Sequence, residues 1–272
     1  MATIVILEHL LQKDIGLPYM AHALADMWRT GGHRVLVHHG TDDPPDGDVA
    51  LLHVDLTVVP TVYRDVIARY PRVINGSLLD ISKRQFSQLL VIRDDPWPGP
   101  VIVKTDANFG GKAEQLLRAR AIRLGLPCDI PVGPVAHDYP VFRSIAEVPY
   151  LAWNTPGLVV EKFVPESAAE GYYIHHWTFL GTSERCARFR ANAPIIKSEN
   201  FVGREAAEVP ATIRAWRDRL GVDYGKLDYL RMGDDYVLID VNRTPSVPMI
   251  PNRDATMTLQ TVAQGIDAFL AG

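Results

Sequence analysis

The chain has 272 residues, which is too long for one minimal core and fits two or three lobes that share a cleft. Its apolar content of 47%, charged content of 22% and net charge of −4 are ordinary for a soluble globular protein and give no basic surface for nucleic acid. The only cysteines, Cys128 and Cys186, predict no disulfide scaffold. No apolar stretch approaches the roughly 20 residues of a membrane helix, and the N-terminus is typical of a strand and not of a signal peptide. We therefore predict a cytoplasmic protein with neither a nucleic-acid nor a membrane partner.

The first lobe alternates strand and helix patterns. Short β-branched and apolar runs predict strands, and two amphipathic stretches between them predict helices. Such alternation is typical of a parallel sheet covered by helices, so residues 1–77 are predicted to form a small parallel α/β lobe. The predicted strands are 3–7, 34–38, 49–53 and 72–75, and the predicted helices are 19–29 and 62–69.

Two further lobes are predicted after this one. Residues 78–165 hold a helix at 82–91, a Pro/Gly-rich turn at 94–100, and strands at 101–104 and 158–164. Residues 166–272 hold two hairpins and two helices. The hairpin strands are 172–180 with 185–190 and 225–231 with 236–242, and the helices are 213–220 and 257–270.

The second hairpin of the last lobe carries a candidate metal site. Asp240 and Asn242 are two apart on a strand and point the same way, and Asp228 lies on the preceding strand. Two carboxylates and an amide oxygen form the hard oxygen set that Mg²⁺ prefers. The alternative is a solvated hairpin with an acidic outer face, and the polar continuation Asn242-Arg-Thr-Pro245 favours the metal site.

A lysine and a glycine pair follow the predicted strand 101–104. Lys104 at the strand end is placed to bind phosphate as a point charge. Gly110 and Gly111, followed by Lys112, allow backbone N–H groups to approach phosphate oxygens closely. The segment matches no Walker A or GxGxxG pattern, and its alternative is an ordinary turn between strand and helix.

The strand 158–164 is a candidate adenine site. Glu161 and the backbone around Phe163 and Val164 are expected to bind the base, and Glu166 or Glu170 the ribose. The alternative is a buried strand with a solvated end. Farther along, Arg190 on a basic strand and Lys197 after it are either solvated or form an anion-binding wall. The basic strand also carries Arg185 and Arg188.

Taken in order, these pieces resemble the ATP-grasp superfamily over residues 70–250. Lys83 resembles the lysine of the helix that precedes the nucleotide site, and the segments around Lys104 and Gly110-Gly111 resemble the nucleotide-binding strand and glycine loop. Asp228, Asp240 and Asn242 resemble the metal triad, with Asp240 where Glu is usual. The sequence departs from the family pattern in three further places, which are Ser246 for a glycine, Lys226 where many relatives carry arginine, and a short spacing from Lys83 to Lys104.

The resemblance implies an α/β (α+β) ATP-grasp fold with an N-terminal parallel lobe. It also implies the cofactors ATP and Mg²⁺ and a ligase that converts a small-molecule carboxylate into an acyl phosphate for attack by an amine. Lys83, Lys104 and Lys112 would hold phosphates, and Arg190 and Lys197 would neutralise the transferred group. Two alternatives stay open, a small-molecule kinase and a nucleotide-binding protein without catalysis. Relatives are often dimers, so a homodimer is the candidate assembly.

Overall fold

The computed structural model describes residues 1–135, 138–249 and 252–270. Its first sheet is parallel throughout, with the strand order β2-β1-β3-β4. Ile4 to Leu7 in the middle of β1 are fully buried, because neighbouring strands and helices cover both faces. The strands are β1 (Thr3–Glu8), β2 (Arg34–His39), β3 (Val49–Leu52) and β4 (Val73–Ile74). The predicted parallel α/β lobe is confirmed.

Two helices accompany this sheet, α1 (Met20–Thr30) and α2 (Tyr63–Ile67). Helix α1 buries Met20, Leu24 and Trp28, which are four residues apart and share one face. It ends at Gly31, and the following Gly32 has the positive φ of 89° that glycine adopts without strain.

The second sheet is antiparallel, with β5 (Val101–Thr105) between β6 (Val141–Phe142) and β7 (Leu158–Lys162). Its helices are α3 (Lys83–Phe86), α4 (Lys112–Leu124) and α5 (Tyr150–Asn154). The helix predicted at 82–91 is therefore wrong beyond Phe86. The chain instead runs extended beside β7, where the Val91 N–H donates to the Val160 carbonyl at 3.0 Å and the Lys162 N–H to the Leu89 carbonyl at 2.8 Å.

The third sheet is also antiparallel and is the largest of the described chain. Its order is β11-β10-β9-β12-β13, with β8 on the first residues of β9. Its strands are β8 (Glu166–Ala168), β9 (Gly171–Leu180), β10 (Ser183–Ala191), β11 (Phe201–Ala206), β12 (Tyr224–Met232) and β13 (Asp235–Asn242), and α6 (Ala211–Leu220) packs against it. Both predicted hairpins are confirmed, and β12 pairs Asp228 with Asp240 of β13.

The end of the chain returns to the first sheet. Helix α7 (Arg253–Ala263) and the short α8 (Asp267–Leu270) follow the third sheet. Val262 and Ile266 share one apolar core with Trp28 of α1, whose indole N–H donates to the Ala263 carbonyl at 2.9 Å. The division at residues 77 and 165 stays a prediction. Within the described ranges, no helix is long and apolar enough to cross a membrane.

A buried carboxylate at the end of β1 is surrounded by three imidazoles. Glu8 is fully buried; its Oε1 lies 2.6 Å from His22 Nε2 and 3.2 Å from His53 Nδ1, and its Oε2 lies 3.2 Å from His39 Nε2. Burial raises the pKa of Glu8, but the hydrogen bonds and charges of His22 and His53 outweigh burial and lower the pKa to about 2. The hydrogen bond to Glu8 raises the pKa of His22. The cluster holds β1, β2, β3 and α1 together.

We expect this cluster to make the stability of the fold sensitive to acid. A carboxylate whose pKa is lowered by folding stabilises the folded state, and this contribution is complete above its ordinary pKa of 4.5. The contribution to the free energy of unfolding is lost as the pH falls towards 2. We expect Glu8→Gln to remove up to about 3 kcal/mol of the pH-dependent free energy of unfolding in this window. Urea denaturation at a series of pH values measures it, with the exposed Glu199→Gln as a control that keeps the wild-type slope. An unchanged slope in Glu8→Gln would contradict the assignment.

Candidate active site

A cleft of about 250 Å³ lies between the second and third sheets. Six of the side chains that the sequence singles out line it, namely Lys83, Lys104, Phe163, Val164, Asp228 and Asp240. They come from four separate stretches of the chain, which are α3, β5, the segment after β7, and the β12–β13 hairpin. The fold therefore brings cations, carboxylates and an apolar wall to one place.

Two carboxylates face each other on the hairpin side of the cleft. Asp228 Oδ2 accepts a hydrogen bond from Lys226 Nζ at 2.9 Å, while its buried Oδ1 has no hydrogen-bond partner among the described residues. Asp240 Oδ1 lies 4.0 Å from Lys83 Nζ. Burial raises the pKa of both carboxyl groups, and the charge of Asp228 adds to this effect at Asp240, where Lys83 opposes it. A divalent cation between them would relieve both effects.

The donor set around this pair fits Mg²⁺. Asp228 and Asp240 supply hard oxygens, and Oδ1 of Asp228, which has no hydrogen bond among the described residues and lies 3.7 Å from His176 Nε2, is available for a cation. Asn242 lies two residues after Asp240 on β13, but its Oδ1 already accepts from the Thr244 N–H at 2.9 Å, and it is not among the cleft-lining residues. In the described chain no three His, Cys, Asp or Glu side chains are grouped as a metal site. Two carboxylates would leave the remaining positions to phosphate and water, as Mg²⁺ typically does.

Two lysines line the same cleft, one on α3 and one on β5. Lys83 is buried and donates to the Ala107 carbonyl at 3.1 Å; burial lowers its pKa, and Asp240 opposes that effect. Lys104 Nζ lies 2.7 Å from Glu161 Oε2. Both residues line the cleft, and their binding of phosphate stays a prediction.

Glu161 is occupied by neighbours in this structure. It is fully buried, and its Oε1 accepts from the Ser87 hydroxyl at 2.5 Å while Oε2 contacts Lys104. Burial raises the pKa of Glu161, but Lys104 and Ser87 outweigh burial and lower it. Its observed contacts orient Lys104, and its predicted contact with adenine stays a prediction.

The glycine loop after β5 has an unusual backbone. Phe109, Gly110 and Gly111 have consecutive positive φ angles of 48°, 70° and 77°, and α4 begins at Lys112. The exposed Phe109 ring lines the cleft and carries Lys112 Nζ at 4.8 Å from its centre. Gly110, Gly111 and Lys112 themselves are not among the lining residues, so their phosphate contacts stay predictions.

Apolar side chains form one wall of the cleft. Phe163 and Val164 belong to it, and the Phe163 N–H donates to the Pro100 carbonyl at 2.9 Å. The predicted contact of their backbone with adenine stays a prediction. Sequence reasoning missed the other members, which are Leu89, Ile102, Tyr139, Leu230 and Ile239. Leu230 and Ile239 lie on the same two strands as Asp228 and Asp240. Their closeness to the aspartates along the sequence is the one signal that could have indicated a place in the cleft.

Neither predicted ribose ligand lines the cleft. Glu166 Oε1 accepts from Arg188 at 2.8 and 3.0 Å, and Oε2 accepts from the Arg231 N–H at 2.8 Å. Burial raises the pKa of Glu166, but His175, Arg231 and Arg188 outweigh burial and lower it to about 2. Glu166 borders a neighbouring recess, and Glu170 accepts from the Tyr173 hydroxyl at 3.1 Å. The ribose assignment stays a prediction.

The two predicted catalytic cations lie at the border of the cleft. Arg190 is paired in register with Tyr173, which lines the cleft, and packs over Gly203, where an added Cβ would lie 3.3 Å from its Nε. Lys197 is exposed and directly follows Pro194, Ile195 and Ile196, which line the cleft. Their catalytic roles stay predictions.

The loop geometry makes Gly111 sensitive to substitution. Its φ is +77°, and an added Cβ would lie 3.0 Å from the Pro134 carbonyl oxygen. We expect Gly111→Ala to lower the free energy of unfolding by more than about 1 kcal/mol, because Ala is strained at positive φ. Urea denaturation measures it. Gly133→Ala is the matched control, since an added Cβ meets nothing within 4 Å there. An equal effect of both variants would contradict the loop geometry.

No protein-family model matches the sequence. No curated protein matches it either. Solved structures match over nearly the whole chain at low identity. The macrocyclase MdnC bound with precursor peptide MdnA, from Microcystis aeruginosa MRC, has a TM-score of 0.57 at 9% identity and covers 96% of this chain and 99% of its own.

Two further structures agree. D-alanine–D-alanine ligase from Bacillus anthracis has a TM-score of 0.51 at 10% identity, covering 99% of this chain and 96% of its own. The ATP-grasp ligase PsnB complexed with minimal precursor has a TM-score of 0.51 at 12% identity, covering 98% of each chain. At these identities the likeness concerns the fold. The chain has the mixed α/β ATP-grasp fold that its sequence motifs resemble.

Proposed function

We propose that this protein is a ligase that uses Mg-ATP to join a carboxylate to an amine. The observation that carries the proposal is the convergence of Asp228 and Asp240 with Lys83 and Lys104 in one cleft. Carboxylates facing ammonium groups suit a metal-bound polyphosphate, because the carboxylates can bind the metal ion and the ammonium groups can bind the phosphate oxygens. Two of the structural neighbours, D-alanine–D-alanine ligase and PsnB, are ligases, which supports the choice of reaction.

The apolar wall of the cleft supports a nucleotide as the ligand. Phe163 and Val164, together with Leu230 and Ile239, offer a flat base an apolar surface. Lys83 and Lys104 line the same cleft, so a nucleotide with its base against Phe163 would direct its phosphates towards these lysines. Phe109 would then close over the phosphates from the glycine loop.

Asp228 and Asp240, with Asn242 as a third candidate ligand, would hold Mg²⁺ in this site. When bound, Mg²⁺ would neutralise the phosphate oxygens. The two lysines would add charge from the other side of the cleft. The protein's part is thus positioning and charge stabilisation, which are the main requirements of phosphoryl transfer.

The reaction has two steps. A carboxylate oxygen of the substrate attacks the γ-phosphorus, the bond to the β,γ-bridging oxygen breaks, and ADP leaves. An amine then attacks the carbonyl carbon of the acyl phosphate, loses a proton and expels inorganic phosphate, which gives an amide. Arg190 and Lys197 are our candidates for stabilising the charge on the transferred phosphoryl group. Loss of such a group typically slows a reaction by about 10²–10³-fold.

Nucleotide binding is the first test. Mg-ATP at about 100 times its dissociation constant would stabilise the wild type by about 2.7 kcal/mol, measured as a rise in melting temperature. Asp240→Ala is expected to lose most of this rise. Asp234→Ala removes a fully exposed carboxylate from the same hairpin and should behave as the wild type. No rise in the wild type would refute the proposal.

Product analysis is the second test. A metabolite-extract screen, followed by mass spectrometry, should show ADP, inorganic phosphate and an amide, with the amide formed only when an amine is present. A stable phosphorylated product would instead identify a kinase. Nucleotide binding with no ADP formed from any extract would identify a binding protein without catalysis.

A further inference from the structure

An arginine with no exposed surface directly follows strand β13. Arg243 comes directly after Asn242, and its guanidinium donates to the carbonyls of Val54, at 3.2 Å, and Leu56. It also donates to the carbonyls of Thr57, at 2.9 Å, and Leu78, at 2.5 Å. Burial lowers its pKa to about 10, and in the described part of the chain no carboxylate forms an ion pair with it. Three of these four carbonyls belong to residues 54–57, so Arg243 fixes that segment.

Thr57 connects the same segment to the phosphate side of the cleft. Its hydroxyl oxygen accepts from the Asn108 N–H at 2.8 Å, and its own N–H donates to Glu114 Oε1 at 2.7 Å. Asn108 begins the glycine loop, and Glu114 lies in the first turn of α4. Both ends of the loop are thereby attached to one residue of the first lobe.

A second contact joins this segment to β13. The Thr244 hydroxyl donates to Asp55 Oδ1 at 2.6 Å, and the Thr244 N–H donates to Asn242 Oδ1 at 2.9 Å. Residues 54–57 thus contact the residues that follow β13 on one side and the glycine loop on the other. This segment sets where the loop stands relative to Asp240.

The loop needs such external support. Three consecutive residues have positive φ, and one of them, Phe109, is not glycine. Backbone in this region persists only when surrounding contacts hold it. The Asn108 N–H is buried, so losing its acceptor would leave a donor unsatisfied at a cost of about 1–3 kcal/mol.

We propose that Thr57 is a positioning residue of the Mg-ATP site. Arg243 holds Thr57 against the end of β13, and Thr57 in turn fixes the glycine loop through the Asn108 N–H. This inference rests on the proposed function, because it assumes that the loop contacts phosphates. Thr57 is assigned no contact with the nucleotide. It acts on the phosphates through the loop and has no effect on the base.

The test compares Thr57→Val and Thr57→Ser with the wild type in the full chain. Valine keeps the shape of threonine but removes the acceptor, whereas serine keeps the hydroxyl. Calorimetry gives the dissociation constant of Mg-ATP, and an NMR titration gives that of adenosine, which has no phosphates. We expect Thr57→Val to weaken Mg-ATP about tenfold and leave adenosine unchanged. Thr57→Ser should stay within about twofold of the wild type for both ligands.

The outcomes are separable from those of the proposed function. Failure of the wild type to bind Mg-ATP removes the proposed function itself. If the wild type binds and Thr57→Val binds Mg-ATP equally tightly, the positioning role is overturned. An equal loss of Mg-ATP and adenosine affinity would indicate general loosening of the fold and would overturn it too. Amide hydrogen exchange at Asn108 is an independent readout and should be faster in Thr57→Val than in Thr57→Ser.

Discussion

Charge compensation inside the cleft is the constraint on which the rest of the structure depends. A buried charge without a partner costs several kcal/mol, so each charged group here needs a neighbour. Glu161 supplies one for Lys104, and Lys226 supplies one for a single oxygen of Asp228. Within the described ranges, the other oxygen of Asp228 has no hydrogen bond and lies 3.7 Å from His176 Nε2, and the cation nearest to Asp240 is Lys83 at 4.0 Å. A metal-bound polyphosphate would complete this set of charges.

The fold is arranged to hold these groups from separate directions. Helix α3 and strand β5 present the lysines, the third sheet presents the carboxylates, and neither side alone forms the cleft. The first lobe joins them, because its segment 54–57 contacts both the residues after β13 and the glycine loop. Helix α7 packs the end of the chain against α1, which ties the third sheet to the first. The first lobe therefore contributes to the geometry of a site that its side chains do not line.

Sequence patterns were sufficient where the decisive contacts are local. Alternation in β12 and β13 predicted the hairpin and the facing of Asp228 and Asp240, and β-branched runs predicted the parallel lobe. Patterns failed where a partner lies far along the chain. Residues 87–91 have a helix-compatible sequence but extend because β7 pairs with them, and the Thr244 N–H occupies the oxygen of Asn242 that was expected to bind the metal. Arg243 and Glu8 gave no periodic signal, since their partners lie in distant segments.

The central claim is that this cleft holds Mg-ATP between the lysines and the paired aspartates. A crystal structure with Mg²⁺ and a non-hydrolysable ATP analogue tests it most directly. We expect the base against Phe163 and Val164, the phosphates at Lys83 and Lys104, and electron density for a metal between Asp228 and Asp240. A nucleotide bound outside this cleft, or a metal coordinated by other side chains, would contradict the claim.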